Sequence, residues 1–252
     1  MIEILILSLV QGITEFLPIS SSSHLILFSK FIDFRNQGLS IDVSLHIGSF
    51  IAVLTYFYKD ISNFIENREL FLKIIISSIP VILVGYILVQ TNFIDELRNI
   101  KIIAWMTVIF GILLYISDKF KLEKEIKTSF NLKVAIIIGC FQAISLIPGV
   151  SRSGITITAA RLLNFKRFDS AKISFLLSIP TLAAVSIYGL NNVITTEDLN
   201  FSIINLSSIF LSFLFSFFTI KFFIKYIQKF NLNLIVAYRI MLGLILLYVA
   251  YL

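Results

Sequence analysis

Six stretches of this chain are each apolar over about the length that a helix needs to cross a lipid bilayer. A helix requires about 20 consecutive apolar residues to span a hydrocarbon core of about 30 Å. The six stretches are Ile41–Tyr58, Leu70–Val89, Ile102–Ser117, Lys172–Leu190, Phe201–Phe223 and Leu232–Leu252. The third is short, and we expect its helix to extend into its flanks. The pattern predicts an all-α integral membrane protein with about six transmembrane helices.

Composition excludes the main alternatives to a membrane protein. Of the 252 residues, 58% are hydrophobic and only 14% are charged, whereas soluble domains are about 25% charged. A net charge of +6 would suggest nucleic acid in a soluble chain, but the lysines here cluster in short loops, as in membrane proteins. We therefore expect a membrane partner and no nucleic acid. One cysteine excludes a disulfide framework, and the absence of a basic residue near Met1 argues against a cleavable signal peptide.

Two further regions, Met1–Phe31 and Leu132–Leu163, are apolar but interrupted. Each contains a glutamine (Gln11 or Gln142), then a proline, then a serine-rich stretch. Neither region is typical of one continuous transmembrane helix, and each is followed by three of the predicted spans. The pattern predicts an internal repeat of one re-entrant helical hairpin plus three spans. The alternative is chance similarity between two serine-rich stretches.

An odd number of spans in each half turns the second half upside down, which gives an inverted-topology repeat. We expect one transmembrane domain, 1–252. Its halves cover about 1–117 and 132–252, and a basic cytoplasmic loop, 118–131, joins them.

Loop charge predicts the orientation, because cytoplasmic loops carry an excess of lysine and arginine. Ser117–Lys133 is lysine-rich and so is Lys221–Lys229, whereas Asn191–Asn200 has acidic and no basic residues. The first two are expected inside and the third outside. Counting spans from these loops, Leu132–Leu163 dips into the membrane from inside and Met1–Phe31 from outside. Two re-entrant segments with polar tips imply a shared polar cavity, because irregular backbone cannot lie against lipid.

The second interruption, Pro148 to Thr156, has the composition of a phosphate cage. Its glycines let backbone approach a ligand closely, and its arginine presents a planar fork of donors that matches phosphate oxygens. The candidate ligand-binding residues are Gly149, Ser151, Arg152, Ser153, Gly154 and Thr156. The alternative is an arginine that snorkels to the interface from a polar loop.

The first interruption carries ionisable and nucleophilic groups in an apolar setting, where they are functional candidates by default. Gln11 and Glu15 are four residues apart and face one side of a helix, so they can hold a divalent cation, or Glu15 can act as a base. Ser20–Ser23 offers hydroxyl nucleophiles, and His24 is near enough to Ser21 to exchange a proton. The alternative is a satisfied core histidine and serines that pack a tight helix crossing.

Three other polar positions carry weaker signals. Asp42 and His46 are four residues apart in the first span and form either a structural pair or support for the site. Arg239 lies within the last span, where it pairs with backbone or with a carboxylate.

Together the two motifs resemble the undecaprenyl-diphosphate phosphatase family of the bacitracin-resistance type. The first family motif is matched by Gln11, Glu15-Phe16-Leu17-Pro18, Ser20-Ser21 and His24. The second, Pro-Gly-X-Ser-Arg-Ser-Gly-X-Thr, is complete from Pro148 to Thr156. The stretch from Ser174 to Pro180 also resembles the family, and the likeness covers essentially the whole chain.

The resemblance implies an enzyme of the bacterial plasma membrane. Such an enzyme hydrolyses undecaprenyl diphosphate to the monophosphate carrier lipid and phosphate, recycles the carrier for cell-wall synthesis and confers bacitracin resistance. It implies a divalent cation, Mg²⁺ or Ca²⁺, and an active site open to the outer face. The family fold has two re-entrant hairpins and six spans in inverted repeats. A homo-oligomer is left open.

The resemblance also implies roles for individual residues. Arg152, Ser151 and Thr156 are expected to bind the diphosphate, together with the candidates Ser20, Ser153 and Gly149 from the motifs. Glu15, with Gln11, is expected to engage the metal or to act as base. Ser21 is the candidate nucleophile, with an activated water as the alternative, and His24 the partner acid or base.

Three positions depart from the family pattern: Gln11 replaces a carboxylate of some members, and Ser23 and Asn164 stand where glycine is common. The first puts a two-carboxylate metal site in doubt. The rival function is a transporter or flippase of polyprenyl phosphate lipids, because inverted repeats with broken helices are typical of transporters.

Overall fold

A computed structural model describes residues 2–21, 23–24, 38–63, 68–91, 93–120, 123–196 and 203–252. Its longer helices are α1 (Ile2–Thr14), α2 (Leu39–Tyr56), α3 (Arg68–Gln90), α4 (Ile100–Asp118), α5 (Leu132–Ala143), α6 (Arg152–Leu162), α7 (Arg167–Thr196), α8 (Ile203–Lys229) and α9 (Asn233–Tyr251). Short helices cover Tyr58–Ser62, Phe93–Leu97 and Ile126–Ser129. Within the described ranges the chain is helical and contains no strand.

The prediction of six spans is confirmed. Six helices of the described chain, α2, α3, α4, α7, α8 and α9, are long and apolar enough to cross a membrane. The short third stretch does extend into its flanks, to Ile100 and Asp118. One boundary was wrong: α8 continues to Lys229, so the lysines of Lys221–Lys229 lie on its last turns and not in a loop. The chain is a multi-pass membrane protein.

The outward-facing surface of the bundle is apolar, as a lipid environment requires. Ile82, Leu83, Tyr86 and Ile87 of α3 are all exposed, and similar side chains line the outer faces of α8 and α9. A helix that is hydrophobic all round belongs inside a membrane or a large core. The polar side chains are turned inward instead, where Ser49 of α2 bonds Ser212 and Ser216 of α8 at 3.2 and 3.0 Å.

Helix pairing follows a regular pattern across the two halves of the sequence. The first spans of the halves, α2 and α7, pack against each other, and so do the last spans, α4 and α9. The short helix α1 packs on α8, and the short helix α5 packs on α3. Each half therefore contributes helices to the same interior.

The ends of the helices gather at two opposite faces. At one face the Asp118 carboxylate accepts hydrogen bonds from Arg167 and from the backbone N–H of Leu232, and it pairs with Arg161 at 3.2 Å. At the other face Asn205 donates to Ser40. The division of these helix ends between two faces, of which the Asp118 face is the basic one, agrees with the division predicted by counting spans from the charged loops. The acidic pair predicted in Asn191–Asn200, Glu197 and Asp198, lies outside the described residues.

The region from α5 to α6 lies next to the start of α7 at both ends. Just before α5, Ile126 N–H donates to Asp169 at 3.1 Å, and Asn131 caps α5 by accepting from Val134 N–H at 3.0 Å. Beyond the end of α6, Lys124 and Phe165 form a bridge beside the Asp118 cluster. The two helices have 12 and 11 residues, and at 1.5 Å per residue each is about 17 Å long. The corresponding return of the first region falls on 25–37, outside the described residues.

Candidate active site

The first wall of the site is the break after α1. The helix ends at Thr14, and a turn through Pro18 leads to Ser20, whose φ is +76°. Such a backbone is rare for a side chain other than glycine and costs about 1–2 kcal/mol. The chain accepts this conformation because it turns Ser20 Oγ onto the next helical turn, where it accepts from Ser23 N–H at 3.5 Å. The same turn places Ser21 at the start of a new helical segment.

The second wall is the break before α6, which also contains a serine with a positive φ whose hydroxyl accepts from the following helical turn. Ser151 has φ +72°, and its Oγ caps α6 by accepting from Gly154 N–H at 3.2 Å. Gly149 has φ +97°, and an added Cβ would lie 2.4 Å from the Ile103 carbonyl oxygen. Glycine at this position is therefore required by both backbone conformation and space.

Arg239 of α9 ties the two breaks together. Its side chain is fully buried and donates to the carbonyls of Pro18 at 3.1 Å and of Gly149 and Val150 at 3.0 Å each. A helix break leaves carbonyls without partners, and a buried guanidinium with several donors satisfies them. In the sequence, Arg239 was notable only as a charged residue inside an apolar span. That position did not predict that it joins the two breaks.

The two motifs meet in a buried ion pair. Arg152 Nη2 donates to Glu15 Oε1 at 2.8 Å, and the two side chains are only 13% and 8% exposed. The other carboxylate oxygen accepts from Ser21 Oγ at 2.9 Å and from Gln11 Nε2 at 3.1 Å. The structure thus brings Gln11, Glu15, Ser21 and Arg152 into one hydrogen-bonded group.

His24 has different partners from those expected. Nδ1 donates to the Ser20 carbonyl at 2.7 Å, which leaves Nε2 to accept from the Tyr238 hydroxyl at 2.6 Å. The ring also stacks on Tyr238. Ser21 donates to Glu15 in this arrangement, so the structure does not pair Ser21 with His24. Tyr238, one residue before Arg239 on α9, had no signal in the sequence.

A cavity of about 220 Å³ adjoins the ion pair, and we name it the polar cavity for the charged and hydroxyl side chains in its lining. Its lining comes from both motifs and from three spans, and consists of Thr14, Glu15, Ser20, Ser21, His46, Val81, Ser145, Leu146, Ser151, Arg152, Thr181, Leu182 and Val185. Sequence reasoning identified the serines, Glu15 and Arg152 correctly as neighbours. His46 is the contribution of α2.

Four of the candidate binding residues are not in this lining, among them Gly154, whose N–H donates to Ser151 Oγ. Ser153 Oγ donates to the Leu17 carbonyl at 2.8 Å, and Thr156 Oγ1 donates to Ser174 Oγ at 2.7 Å. Gly149 packs against Ile103 and gives its carbonyl to Arg239. All four are occupied by contacts to the protein itself. Ser174 belongs to the stretch that resembles the family, and its hydrogen bond with Thr156 connects that stretch to the second motif.

An apolar groove of about 340 Å³ adjoins the polar cavity. The two spaces share Val81, Leu146, Thr181 and Val185. From there the groove runs between α3 and α7 to Val89 and Tyr188, which lie toward the ends of these helices that are farthest from the basic face. A polar cavity that contains an arginine, next to an apolar groove, fits an amphiphilic ligand with an anionic head group.

The donor set available to a metal ion is small. No group of three or more His, Cys, Asp or Glu side chains able to hold a metal occurs within the described ranges. Glu15 supplies one carboxylate, whereas Gln11 directs its NH₂ group at that carboxylate, so its buried and unpartnered Oε1 faces away from Glu15. Mg²⁺ is commonly held by one or two carboxylates together with substrate phosphates and waters. The Glu15 carboxylate therefore fits a divalent cation that shares its ligands with a bound diphosphate.

The fold and the site define a class: a multi-pass membrane protein with a buried polar site formed at two helix breaks. The chain belongs to the BacA family, because the family model described as bacitracin resistance protein BacA matches residues 4–245. It is 52% identical to an undecaprenyl-diphosphatase of Pelagibacter ubique over 99% of this chain and 98% of that protein. It is 41% identical to the undecaprenyl-diphosphatase of Saccharophagus degradans, over 94% and 93%. A third relative of the same name, from Elusimicrobium minutum, is 38% identical over 99% and 98%.

Proposed function

We propose that this protein hydrolyses undecaprenyl diphosphate, or a similar polyprenyl diphosphate, to the monophosphate carrier lipid and inorganic phosphate. The carrier lipid is then available again for cell-wall synthesis, and its continued supply gives bacitracin resistance. The observation that carries the proposal is the ion pair of Arg152 with Glu15 at 2.8 Å, with Ser21 bonded to the free carboxylate oxygen. A cation, a base and a nucleophile are the minimum set for transfer of a phosphoryl group.

Arg152 binds the terminal phosphate in this proposal. A guanidinium pairs with phosphate oxygens in a bidentate geometry, and the first turn of α6 adds the partial positive charge of a helix N-terminus. The hydroxyls of Ser20 and Ser151 line the same cavity and add hydrogen bonds. Incoming phosphate takes over Arg152 from Glu15, which frees that carboxylate to act as a base.

Glu15 activates the nucleophile. Ser21 Oγ already donates to Glu15 Oε2 at 2.9 Å, so the proton of an attacking hydroxyl has an acceptor in place. Ser21 is the proposed nucleophile. In this step the Ser21 Oγ–P bond forms as the bridging O–P bond breaks, Glu15 takes the hydroxyl proton and the monophosphate lipid leaves; water then hydrolyses the phosphoserine, which releases phosphate and restores the hydroxyl. The alternative nucleophile is a water held by Glu15 in the same position, which attacks the terminal phosphorus directly and gives both products in one step.

Glu15 is the proposed holder of Mg²⁺ or Ca²⁺ through its carboxylate. Gln11, predicted as a second ligand, directs its NH₂ group at that carboxylate and is proposed to position it. A divalent cation bound there would neutralise part of the diphosphate charge. We propose an indirect role in substrate binding for four residues that fix the two helix breaks in position: His24, Ser153, Thr156 and Gly149. His24 does so by fixing the Ser20 turn to α9 through Tyr238.

The apolar groove is the proposed path of the prenyl tail. Its lining on α3 and α7 runs away from the basic face, and basic faces are cytoplasmic. We therefore place the protein in the bacterial plasma membrane with its site open to the outer face. Labelling of single-cysteine variants at Lys124 and Asn192 tests the orientation, since only the latter should react from outside the cell.

We also propose that the two halves form an inverted repeat with two re-entrant hairpins. Ser20 and Ser151, the two strained caps, are separated along the chain by the same interval as the buried Gln11 and Gln142. Equivalent helices pair across the halves, α2 with α7 and α4 with α9. A pseudo-two-fold axis between the halves accounts for both regularities.

Phosphate release from a long-chain polyprenyl diphosphate by purified protein tests the function. Glu15→Gln and Arg152→Gln are each expected to lower release at least about 100-fold, because each removes a charged group from the reacting centre. The matched controls are Asp60→Asn and Lys172→Gln, which break another interhelical ion pair whose residues do not line the cavity, and they should leave turnover unchanged. No release by folded wild-type protein with either Mg²⁺ or Ca²⁺ would overturn the proposal.

A flippase of polyprenyl phosphate lipids is the second candidate, favoured by the paired helix breaks of the two halves. A protein that only transports needs no nucleophile. Such a protein would keep lipid binding after Ser21→Ala and would release no phosphate in any variant.

A further inference from the structure

His46 is the one imidazole in the lining of the polar cavity, and neither motif includes it. It lies on α2 and is half-buried, and its Nδ1 is 3.1 Å from Gln11 Nε2. The same Gln11 nitrogen is 3.1 Å from Glu15 Oε2. Gln11 therefore stands between the carboxylate of the first motif and a ring from a separate span.

These contacts determine which ring nitrogen of His46 carries the proton. A carboxylate oxygen only accepts, so the end of the Gln11 amide that faces Glu15 is its NH₂ group. The second hydrogen of this NH₂ group is directed at His46 Nδ1, which must accept it. A neutral imidazole that accepts at Nδ1 has its hydrogen on Nε2. Among the described residues no protein group bonds Nε2 of His46.

We propose that His46 is a further substrate-binding residue of this site, and that its Nε2–H donates a hydrogen bond to a non-bridging oxygen of the bound diphosphate. The inference rests on the proposed function and deepens it. Arg152 reaches the anion from α6 and His46 reaches it from α2, so the first span of the first half takes part in recognition. Because Nε2 carries the hydrogen, it acts as a donor and not as a metal ligand.

Two substitutions separate this role from a purely structural one. The amide of glutamine reaches the position of Nε2, whereas the amide of asparagine reaches only that of Nδ1. His46→Gln keeps a donor for the substrate and loses the contact with Gln11. His46→Asn keeps an acceptor for Gln11 and loses the donor. The proposal and a structural role therefore predict opposite rankings of the two variants.

The measurement is steady-state phosphate release from a polyprenyl diphosphate in detergent, with both variants checked for folding by size exclusion. We expect His46→Asn to lose about 10- to 100-fold in kcat/KM, mostly through a higher KM, as for the loss of one hydrogen bond to a charged group. His46→Gln is expected to stay within about fivefold of wild type. The Mg²⁺ concentration at half-maximal rate is expected to be the same for all three proteins.

Three results would overturn the inference. A more active Asn variant than Gln variant would assign His46 a structural role through Gln11. A change in the half-maximal Mg²⁺ concentration would make His46 a metal ligand. Equal activity of all three proteins would remove His46 from the site. An inactive wild-type protein would instead overturn the proposed function itself, and the two failures are thus distinguishable.

Discussion

Replacement of Arg239 by methionine is expected to uncouple the two helix breaks. The substitution removes three hydrogen bonds of 3.0–3.1 Å, to the carbonyls of Pro18, Gly149 and Val150, and a longer one of 3.4 Å to the Thr107 carbonyl. Hydrogen bonds between membrane helices are worth about 0.6 to 1.7 kcal/mol each, so loss of the three short ones alone costs about 2 to 5 kcal/mol. For a chain of this size that corresponds to a fall of about 4 to 20 °C in the thermal midpoint.

The effect on activity is expected to exceed the effect on stability. Pro18 precedes the Ser20–Ser21 turn, and Val150 precedes the Ser151 cap, so both walls of the cavity shift when their common anchor is lost. A displacement of about 1 Å at a reacting group can reduce the rate about 100-fold. We expect a loss of this size in kcat for the folded fraction of Arg239→Met, measured by phosphate release after size exclusion.

Arg161→Met is the matched control for this prediction. Arg161 is also a buried arginine that donates to backbone carbonyls, those of Phe165, Asp118 and Phe120 at 3.0–3.2 Å. It lies at the basic face, away from the cavity. We expect a comparable fall in thermal midpoint with unchanged kcat. Wild-type kcat in folded Arg239→Met, or an equal loss of kcat in both variants, would refute the reasoning.

Three further predictions follow from the packing and the donor set. Gly139→Ala places a Cβ 2.2 Å from the Ser77 carbonyl oxygen and is expected to lower the thermal midpoint by several degrees, whereas Gly85→Ala, whose Cβ meets only Leu146 at 3.5 Å, is expected to be tolerated. Ser151→Ala removes a helix cap without relieving the positive φ, so a loss of about 1 kcal/mol in stability is expected; an unchanged midpoint would contradict the capping role. EDTA is expected to stop phosphate release and added Mg²⁺ or Ca²⁺ to restore it, and full activity in EDTA would contradict the proposed cation.

The fold could be predicted to a large extent because the membrane leaves few solutions. Apolar length alone identified all six spans, and loop charge gave a grouping of helix ends that the structure reproduces. Helix ends were predicted less well where residues with long charged side chains extend a helix past its apolar stretch, as Lys221–Lys229 does at the end of α8. Asn164, which replaces a common glycine, has φ +76°, a conformation that asparagine tolerates better than most residues.

The site could be predicted only where its residues are neighbours in sequence. The spacing of Gln11 and Glu15 on one helix predicted their contact, which the structure has at 3.1 Å. The partner of Ser21 could not be predicted the same way, because the turn after Thr14, with its positive φ at Ser20, ends the helical spacing on which such a prediction depends. That turn directs Ser21 to Glu15 and His24 to Tyr238.

Arg239 and His46 reach the site from separate spans. Contacts of this kind depend on how helices pack, and a single sequence carries no local signal for them. The available indication was an ionisable residue within an apolar span; the structure places Arg239 between the two breaks and His46 in the cavity lining.

The central claim is that the two motifs, one from each half of the chain, form a single active site. A double-mutant cycle on kcat/KM for phosphate release, with Glu15→Asp, Arg152→Lys and the double variant, tests this claim most directly. Groups in direct contact usually couple by about 0.5 to 3 kcal/mol, so the double variant is expected to lose about 2- to 100-fold less than the product of the single losses. Single losses that multiply without coupling would contradict a shared site.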